Sequence, residues 1–159
     1  MTILASSAKT IAVNAAFLQE VKDSNLQLWD LFHRLRMLTK VQRPTGEMVH
    51  DFVALLGELR DCIALEFSLE ETYGYVENAM LGARVGSEAN EAKLQHRELY
   101  LQIRDLCECV EEAEYTGTIV RDLAAFFNAF DTFDTEFRAH EELEARLIHM
   151  GLGTGVILD

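Results

Sequence analysis

The chain of 159 residues has little proline, few cysteines and a shortage of positive charge. Pro44 is its one proline, and long stretches without turn residues favour an all-α domain. No apolar run approaches the length that a membrane-spanning helix needs. The 14 lysines and arginines are scattered among 27 acidic residues, so we expect neither a nucleic-acid partner nor docking on an anionic membrane.

The three cysteines are too few and too oddly spaced for a disulfide framework, which favours free thiols in a reducing compartment. Cys107 and Cys109 cannot share one metal ion, because helix positions two apart point about 200° away from each other. We expect Cys107 to be buried and Cys109 to lie at the surface. The first residues show no clear basic segment ahead of an apolar one, so we expect a cytoplasmic protein.

Apolar periodicity predicts four helices, over about residues 14–40, 47–81, 88–113 and 119–150. The connections between them are short, so consecutive helices are expected to be antiparallel neighbours in an up-down-up-down four-helix bundle. The bundle would take residues 14–150, with an N-terminal arm at 1–13 and a C-terminal tail at 151–159. The phenylalanines of the last helix repeat at bundle spacing and are expected in the core.

Each predicted helix carries polar residues within its apolar stripe, and a rise of about 1.5 Å per residue places them in one layer. These residues are Asn25, Glu66, Glu70, His96, His140 and Glu144. The pairs 66/70 and 140/144 have the i, i+4 spacing that puts both side chains on one helix face. Burying three carboxylates and two imidazoles is costly unless something pairs them. A pair of iron or manganese ions, or less selectively zinc, would do so, with Glu66, Glu70, His96, His140 and Glu144 as ligands.

A polar layer without metal is the alternative. The carboxylates would then pair with protonated His96 and His140. Three negative charges against at most two positive ones leave an excess, which favours either a metal ion or a raised carboxylate pKa.

Three segments, 65–71, 94–99 and 137–144, resemble a hemerythrin-like domain, and the resemblance extends over residues 14–150. Members of that family are four-helix bundles that hold a non-haem di-iron site. Their pattern has a histidine on the first helix, H-x-x-x-E on the second, a histidine on the third and H-x-x-x-E or H-x-x-x-x-D on the fourth. The resemblance therefore implies that Glu70, His96, His140 and Glu144 are metal ligands.

Three positions depart from the family pattern. Asn25 stands where the first-helix histidine belongs, and Glu66 where a histidine opens the second-helix motif. Tyr100, one turn after His96, stands where the oxygen carriers of the family have a further histidine. Asn25 and Tyr100 are therefore expected beside the metal rather than bound to it. Reversible oxygen carriers of that family use a histidine-rich site, so a carboxylate-rich centre of this kind does not match them.

The sequence thus predicts a hemerythrin-like metal-binding protein with two iron ions, or manganese or zinc in their place. Its role would be to bind or sense dioxygen, a related small oxidant or iron itself, and an enzymatic role is left open. The alternative is a metal-free bundle that serves as a protein-interaction or regulatory module. The sequence identifies no protein partner.

Overall fold

A computed structural model describes residues 11–77 and 83–154. Almost all of them are helical, which confirms the all-α class. The helices are α1 (Ala15–Ser24), α2 (Leu26–Thr39), α3 (Gly46–Leu69), α4 (Ala83–Thr116) and α5 (Ile119–Thr154). Two three-residue strands, β1 (Ile11–Val13) and β2 (Tyr75–Glu77), pair antiparallel. None of the helices in these residues combines the length and apolar character needed to cross a bilayer.

The first predicted helix is two helices, so the prediction of one continuous helix over 14–40 is wrong. Asn25 is the N-cap of α2, and its side-chain oxygen accepts a hydrogen bond from the Leu28 amide at 3.3 Å. Asparagine is a favoured N-cap because it satisfies an amide that the first helical turn leaves without a partner. Asn25 therefore starts a helix instead of interrupting the stripe of a longer one.

The second predicted helix also ends early. After α3 comes a π-helical turn (Glu70–Gly74) and then β2, whose Tyr75 lies opposite Val13 of β1. A Cβ atom on Gly74 would lie 2.4 Å from Leu18 Cδ2, so glycine permits the close approach of this turn to α1. The prediction of helix through residue 75 and beyond is wrong, and its last residues, 78–81, lie outside the described residues.

The third and fourth predicted helices are present as α4 and α5, each longer than expected. Gly117, at φ 78°, lies in the turn between them. Left-handed backbone of this kind is common just after a helix end and favours glycine. Helix α5 continues to Thr154, so the tail expected from residue 151 begins in helix; residues 155–159 are outside the described part.

The chain divides into two compact units. The first comprises Met1–Ser24, Glu66–Arg97 and Ala139–Asp159. Its described core is a cluster of mostly apolar side chains from β1, α1, β2, α4 and α5. These are Ala12, Val13, Ala15, Leu18, Tyr75, Ala89, Ala92, Leu143, Leu147 and Ile148.

The second unit comprises Asn25–Leu65 and Glu98–Arg138, and aromatic packing fills its core. The Phe32 ring stacks on Phe133, with an interplanar angle of 5°, and its centroid lies 4.8 Å from that of Phe137. Phe130, Phe133 and Phe137 of α5 are thus core residues, as predicted, whereas Phe126 is half-buried. Cys107 is buried and donates its thiol hydrogen to the Leu56 carbonyl, whereas Cys109 is exposed, and both placements were predicted. The up-down order of the helices stays a prediction.

Candidate metal centre

Four of the predicted ligands converge in the first unit. Glu70, His96, His140 and Glu144 each place one possible ligand atom within 4.8 Å of the others. All four side chains are buried, with at most 2% of any residue exposed. Such a group of carboxylates and imidazoles is able to hold a metal ion.

The local structure explains how the carboxylates reach this point. His140 and Glu144 lie one turn apart on α5 and share a face. Glu70 opens the π-helical turn after α3, and its carbonyl accepts a hydrogen bond from the Tyr75 amide. Because a π turn changes the direction in which successive side chains point, turns of this kind recur at functional sites.

A hydrogen bond at Nδ1 orients each of the two imidazoles. His96 Nδ1 lies 2.9 Å from Glu71 Oε2, and His140 Nδ1 lies 2.8 Å from Gln95 Oε1. These oxygens only accept hydrogen bonds, so each Nδ1 carries a hydrogen and donates it. In a neutral ring the Nε2 atom then offers a lone pair, as a metal ligand must.

The two Nε2 atoms are directed at the carboxylates. His96 Nε2 lies 3.0 Å from Glu144 Oε2 and 3.2 Å from Glu70 Oε1. His140 Nε2 lies 3.2 Å from Glu144 Oε1. Burial lowers the pKa of His140 below its ordinary value, which favours the neutral ring.

Lys22 of α1 joins the same cluster. Its ammonium lies 2.5 Å from Glu144 Oε1, 2.7 Å from Glu70 Oε2 and 2.7 Å from Glu141 Oε2. It also reaches Glu66 Oε2 at 3.3 Å. Burial opposes the charged form of Lys22, but the surrounding carboxylates outweigh burial and hold its pKa well above the ordinary value.

The cluster contains many carboxyl groups, and burial changes the pKa values of its members. Burial raises the pKa of Glu70 to about 7 and that of Glu141 to about 8. Burial also lowers the pKa of His96, but hydrogen bonds to Glu144 and Glu71 and the nearby carboxylate of Glu70 outweigh it and raise that pKa to about 11. Glu144 is the exception among the buried carboxyls, because its contacts with His140 and His96 and the charge of Lys22 outweigh burial and lower its pKa. Without a metal ion, His96 is therefore protonated at neutral pH.

Aromatic rings enclose the imidazoles. The Phe67 ring stacks on His96 with a centroid separation of 4.0 Å and an interplanar angle of 11°. Phe67 also meets His140 edge-on at 5.5 Å. A low-polarity wall on this side strengthens the electrostatic interactions inside the cluster.

A cavity of about 340 Å³ borders the cluster at Lys22 and Glu141. Gln19, Lys22, Glu141 and His149 are among the residues that line it. Lys22 and Glu141 each keep 13% of their side chain exposed, so this side connects the buried cluster to solvent. A small molecule or ion can reach the cluster here.

The other predicted site residues have different positions. Glu66 is buried and pairs with Lys22, outside the group of four whose ligand atoms converge. Asn25 caps α2, and its Oδ1 also accepts a hydrogen bond from the Cys62 thiol at 3.5 Å. Tyr100 is half-buried on α4 in the second unit.

Sequence reasoning missed several members of the cluster: Lys22, Glu71, Tyr75, Gln95 and Glu141. Two of them left a signal, since Lys22 follows buried Leu18 by four positions and Glu141 follows buried Phe137 by four. That spacing places each on a buried helix face. Tyr75 left none, because the periodic pattern predicted helix where the chain forms a strand.

No protein-family model, curated protein or solved structure matches this chain.

The residues fit a bound cation. Both carboxylate oxygens of Glu70 are buried, and neither accepts a well-directed hydrogen bond, although Lys22 and His96 lie at ion-pair distance. Buried carboxylate oxygens that lack such bonds are costly, and a metal ion would satisfy them. Two imidazoles with two carboxylates are a donor set that iron, manganese and zinc accept.

Proposed function

We propose that this chain is a metal-binding protein in which Glu70, His96, His140 and Glu144 hold a transition-metal ion. The observation that carries the proposal is the shared orientation of the two imidazoles. Glu71 and Gln95 fix the Nδ1 sides, and both Nε2 atoms face carboxylate oxygens. Acceptors on the far nitrogen orient histidine ligands in many metal sites.

The charge in the cluster supports a cation as well. Glu66, Glu70, Glu141 and Glu144 surround the single ammonium of Lys22, so three negative charges remain when all four are ionised. Protonation of His96 cancels one of these charges, whereas a divalent ion cancels two. Without such an ion, the remaining route to neutrality is protonation of buried carboxyls, consistent with the raised pKa values of Glu70 and Glu141.

We propose iron as the ion, with manganese or zinc as alternatives, and the binding or sensing of dioxygen or a related small oxidant as the role. Bound iron would supply the redox chemistry. The chain's own residues would hold the ion, Phe67 would shield His96 from water, and the cavity beside Lys22 and Glu141 would admit a small molecule. The hemerythrin-like motifs support iron as the ion. We also propose that the chain is a divergent hemerythrin-like domain and that it is located in the cytoplasm.

Metal content tests the proposal. Untagged protein from iron-supplemented cells, and chelator-treated protein reloaded anaerobically with Fe(II), would be compared with the variant His140→Ala by elemental analysis. We expect bound iron in the parent and loss of it in His140→Ala. The matched control is His33→Ala, which removes an exposed histidine and should leave iron content unchanged. Full iron content in folded His140→Ala would refute the assignment.

A metal-free module is the second candidate, and the ion pairs of Lys22 favour it. That ammonium contacts four carboxylates, and protonated His96 can pair with Glu70, Glu71 and Glu144, so ion pairs alone hold much of the cluster. In this case chelator leaves the melting temperature unchanged, and Glu66→Leu stabilises the fold, as replacement of buried charge often does. A rise in melting temperature on adding Fe(II) would count against this candidate.

A further inference from the structure

We infer that the ammonium of Lys22 occupies the place of a second metal ion, so that the centre binds one metal ion where the sequence predicts two. The inference rests on the proposed function, because it specifies how many ions the same site takes. It follows from the arrangement of the carboxylate oxygens around two groups, the pair of imidazoles and the ammonium of Lys22.

Glu70 and Glu144 both bridge between the imidazoles and the ammonium. Glu70 directs Oε1 toward His96 and Oε2 toward Lys22. Glu144 directs Oε2 toward His96 and Oε1 toward Lys22, with His140 also near Oε1. In a centre with two cations, carboxylates bridge in this manner, with one oxygen on each.

The Lys22 side of the bridge has its own additional oxygens. Glu141 Oε2 and Glu66 Oε2 lie 2.7 Å and 3.3 Å from the ammonium. Together with Glu70 and Glu144 they form an oxygen shell around one point. An oxygen-rich shell of this kind suits a hard cation, and here the cation is the lysine.

Lys22 leaves no room for a second ion while its side chain points inward. The ammonium lies within hydrogen-bond distance of Glu70, Glu141 and Glu144, and a metal ion at the same point would need those same oxygens. An ion displaced to one side would meet the positive charge of the ammonium across a poorly screened interior. The described ion pairs of His96 and His140 themselves include no lysine or arginine, so the imidazole side stays available to one metal ion.

Loading with Mn(II) tests the inference without redox complications. Chelator-treated full-length protein would be titrated with Mn(II) and bound metal counted by elemental analysis after desalting. We expect one ion per chain in the parent and two in Lys22→Met, which keeps most of the length of the side chain and removes its charge. Lys22→Arg keeps the charge and should retain one ion. Lys40→Met, at an exposed position, is the matched control and should also retain one.

The electron paramagnetic resonance spectrum gives a second measurement, which does not depend on the variant folding. One Mn(II) in the parent gives the hyperfine pattern of an isolated ion, whereas two ions bridged by carboxylates give the pattern of a spin-coupled pair. A coupled pair in the parent would overturn the inference. So would one ion in folded Lys22→Met.

These outcomes separate the two proposals. Two ions in the parent, or one in both parent and Lys22→Met, defeat the role of Lys22 and leave the metal-binding function standing. No ion in the parent defeats the proposed function and, with it, the inference about the number of ions.

Discussion

Tyr75 donates its phenol hydrogen to Glu144 Oε2 at 2.5 Å, the same oxygen that lies 3.0 Å from His96 Nε2. Burial, followed by the charge of Glu144, raises the pKa of Tyr75 above its ordinary value, so the phenol keeps its hydrogen at any physiological pH. The strand pair of β1 and β2 holds Tyr75 opposite Val13. The strand pair thus helps to orient a carboxylate of the candidate metal centre.

Removal of this hydroxyl should weaken metal binding. In Tyr75→Phe the ring still fills the core, but Glu144 loses the donor that orients it. Loss of an outer partner of a ligand typically weakens metal affinity about 10- to 100-fold, and we expect a value near the lower end. Titration with Mn(II) measures the change. Tyr73→Phe, at an exposed neighbouring position, is the control and should bind as the parent does. Equal affinity in Tyr75→Phe and the parent would mean that the phenol does not orient Glu144.

Metal affinity should rise with pH. Hydrogen bonds to the carboxylates outweigh burial and raise the pKa of His96 to about 11, so the metal-free protein holds a proton there at pH 7. A metal ion must displace that proton to reach Nε2, and acid therefore favours the metal-free form. Displacement of the His96 proton alone makes the association constant rise about tenfold per pH unit between pH 6 and 8, and the proton on Glu70, whose pKa burial raises to about 7, makes the rise steeper at the acidic end. Calorimetric titration in two buffers of different ionisation enthalpy counts the protons released. A binding constant that does not change with pH would contradict this account of His96.

Gly74→Ala should destabilise the first unit. The new Cβ would lie 2.4 Å from Leu18 Cδ2 and 3.0 Å from Leu18 Cγ, and Leu18 is fully buried and has little space to move. Overpacking of this kind costs about 1–3 kcal/mol of unfolding free energy. Urea unfolding measures it. The matched control is Gly46→Ala, because no atom lies within 4 Å of a Cβ added there. It should be near neutral or slightly stabilising.

A double variant shows whether Leu18 is the obstacle. Leu18→Ala removes the two Leu18 atoms that would lie closest to the new Cβ, so Gly74→Ala should cost less in that background than alone. If the free-energy costs of the two single substitutions simply add in the double variant, the strain lies elsewhere in the π-helical turn.

In the second unit, Arg36→Leu should cost about 2 kcal/mol of unfolding free energy. Arg36 donates two hydrogen bonds of 2.8 Å to Asp134, whose side chain is 3% exposed. Removal of one partner from a buried ion pair leaves a buried charge, but Arg138 still donates to Asp134 at 2.9 Å and limits the loss. The control is Arg34→Leu, which breaks an exposed pair with Asp30 and should change stability by less than about 0.5 kcal/mol. Equal effects of the two variants in urea unfolding would show that burial of Asp134 is unimportant.

The sequence was sufficient to locate the four residues that converge in the candidate metal centre. His140 and Glu144 lie one turn apart in a strongly periodic helix, and His96 interrupts an apolar stripe, so periodicity alone placed them on buried faces. Glu70 was found in the same way, although the chain leaves the α-helix at that residue. Charged residues are rarely buried without partners, and this made the four conspicuous.

The partners of these ligands were harder to predict, for two physical reasons. Lys22 lies on a short helix whose end is set by the Asn25 cap, and a lysine beside an apolar stripe usually extends its charge into solvent. Tyr75 depends on the π-helical turn and on the pairing of β2 with β1, a contact between residues far apart in sequence. Helical periodicity places Lys22 on a buried helix face but does not show which carboxylates it contacts, and it carries no information about the strand pairing. The predicted layer therefore included the four convergent residues, but it also counted Glu66 among the ligands and assigned the first-helix side to Asn25 instead of Lys22.

Anomalous diffraction from crystals of iron-loaded protein, recorded at the iron edge, tests the central claim most directly. The account predicts one iron peak per chain, bonded to Nε2 of His96 and of His140 and to carboxylate oxygens of Glu70 and Glu144, with Lys22 beside it. The absence of a peak among these four side chains, in crystals that contain iron elsewhere or none at all, would contradict it.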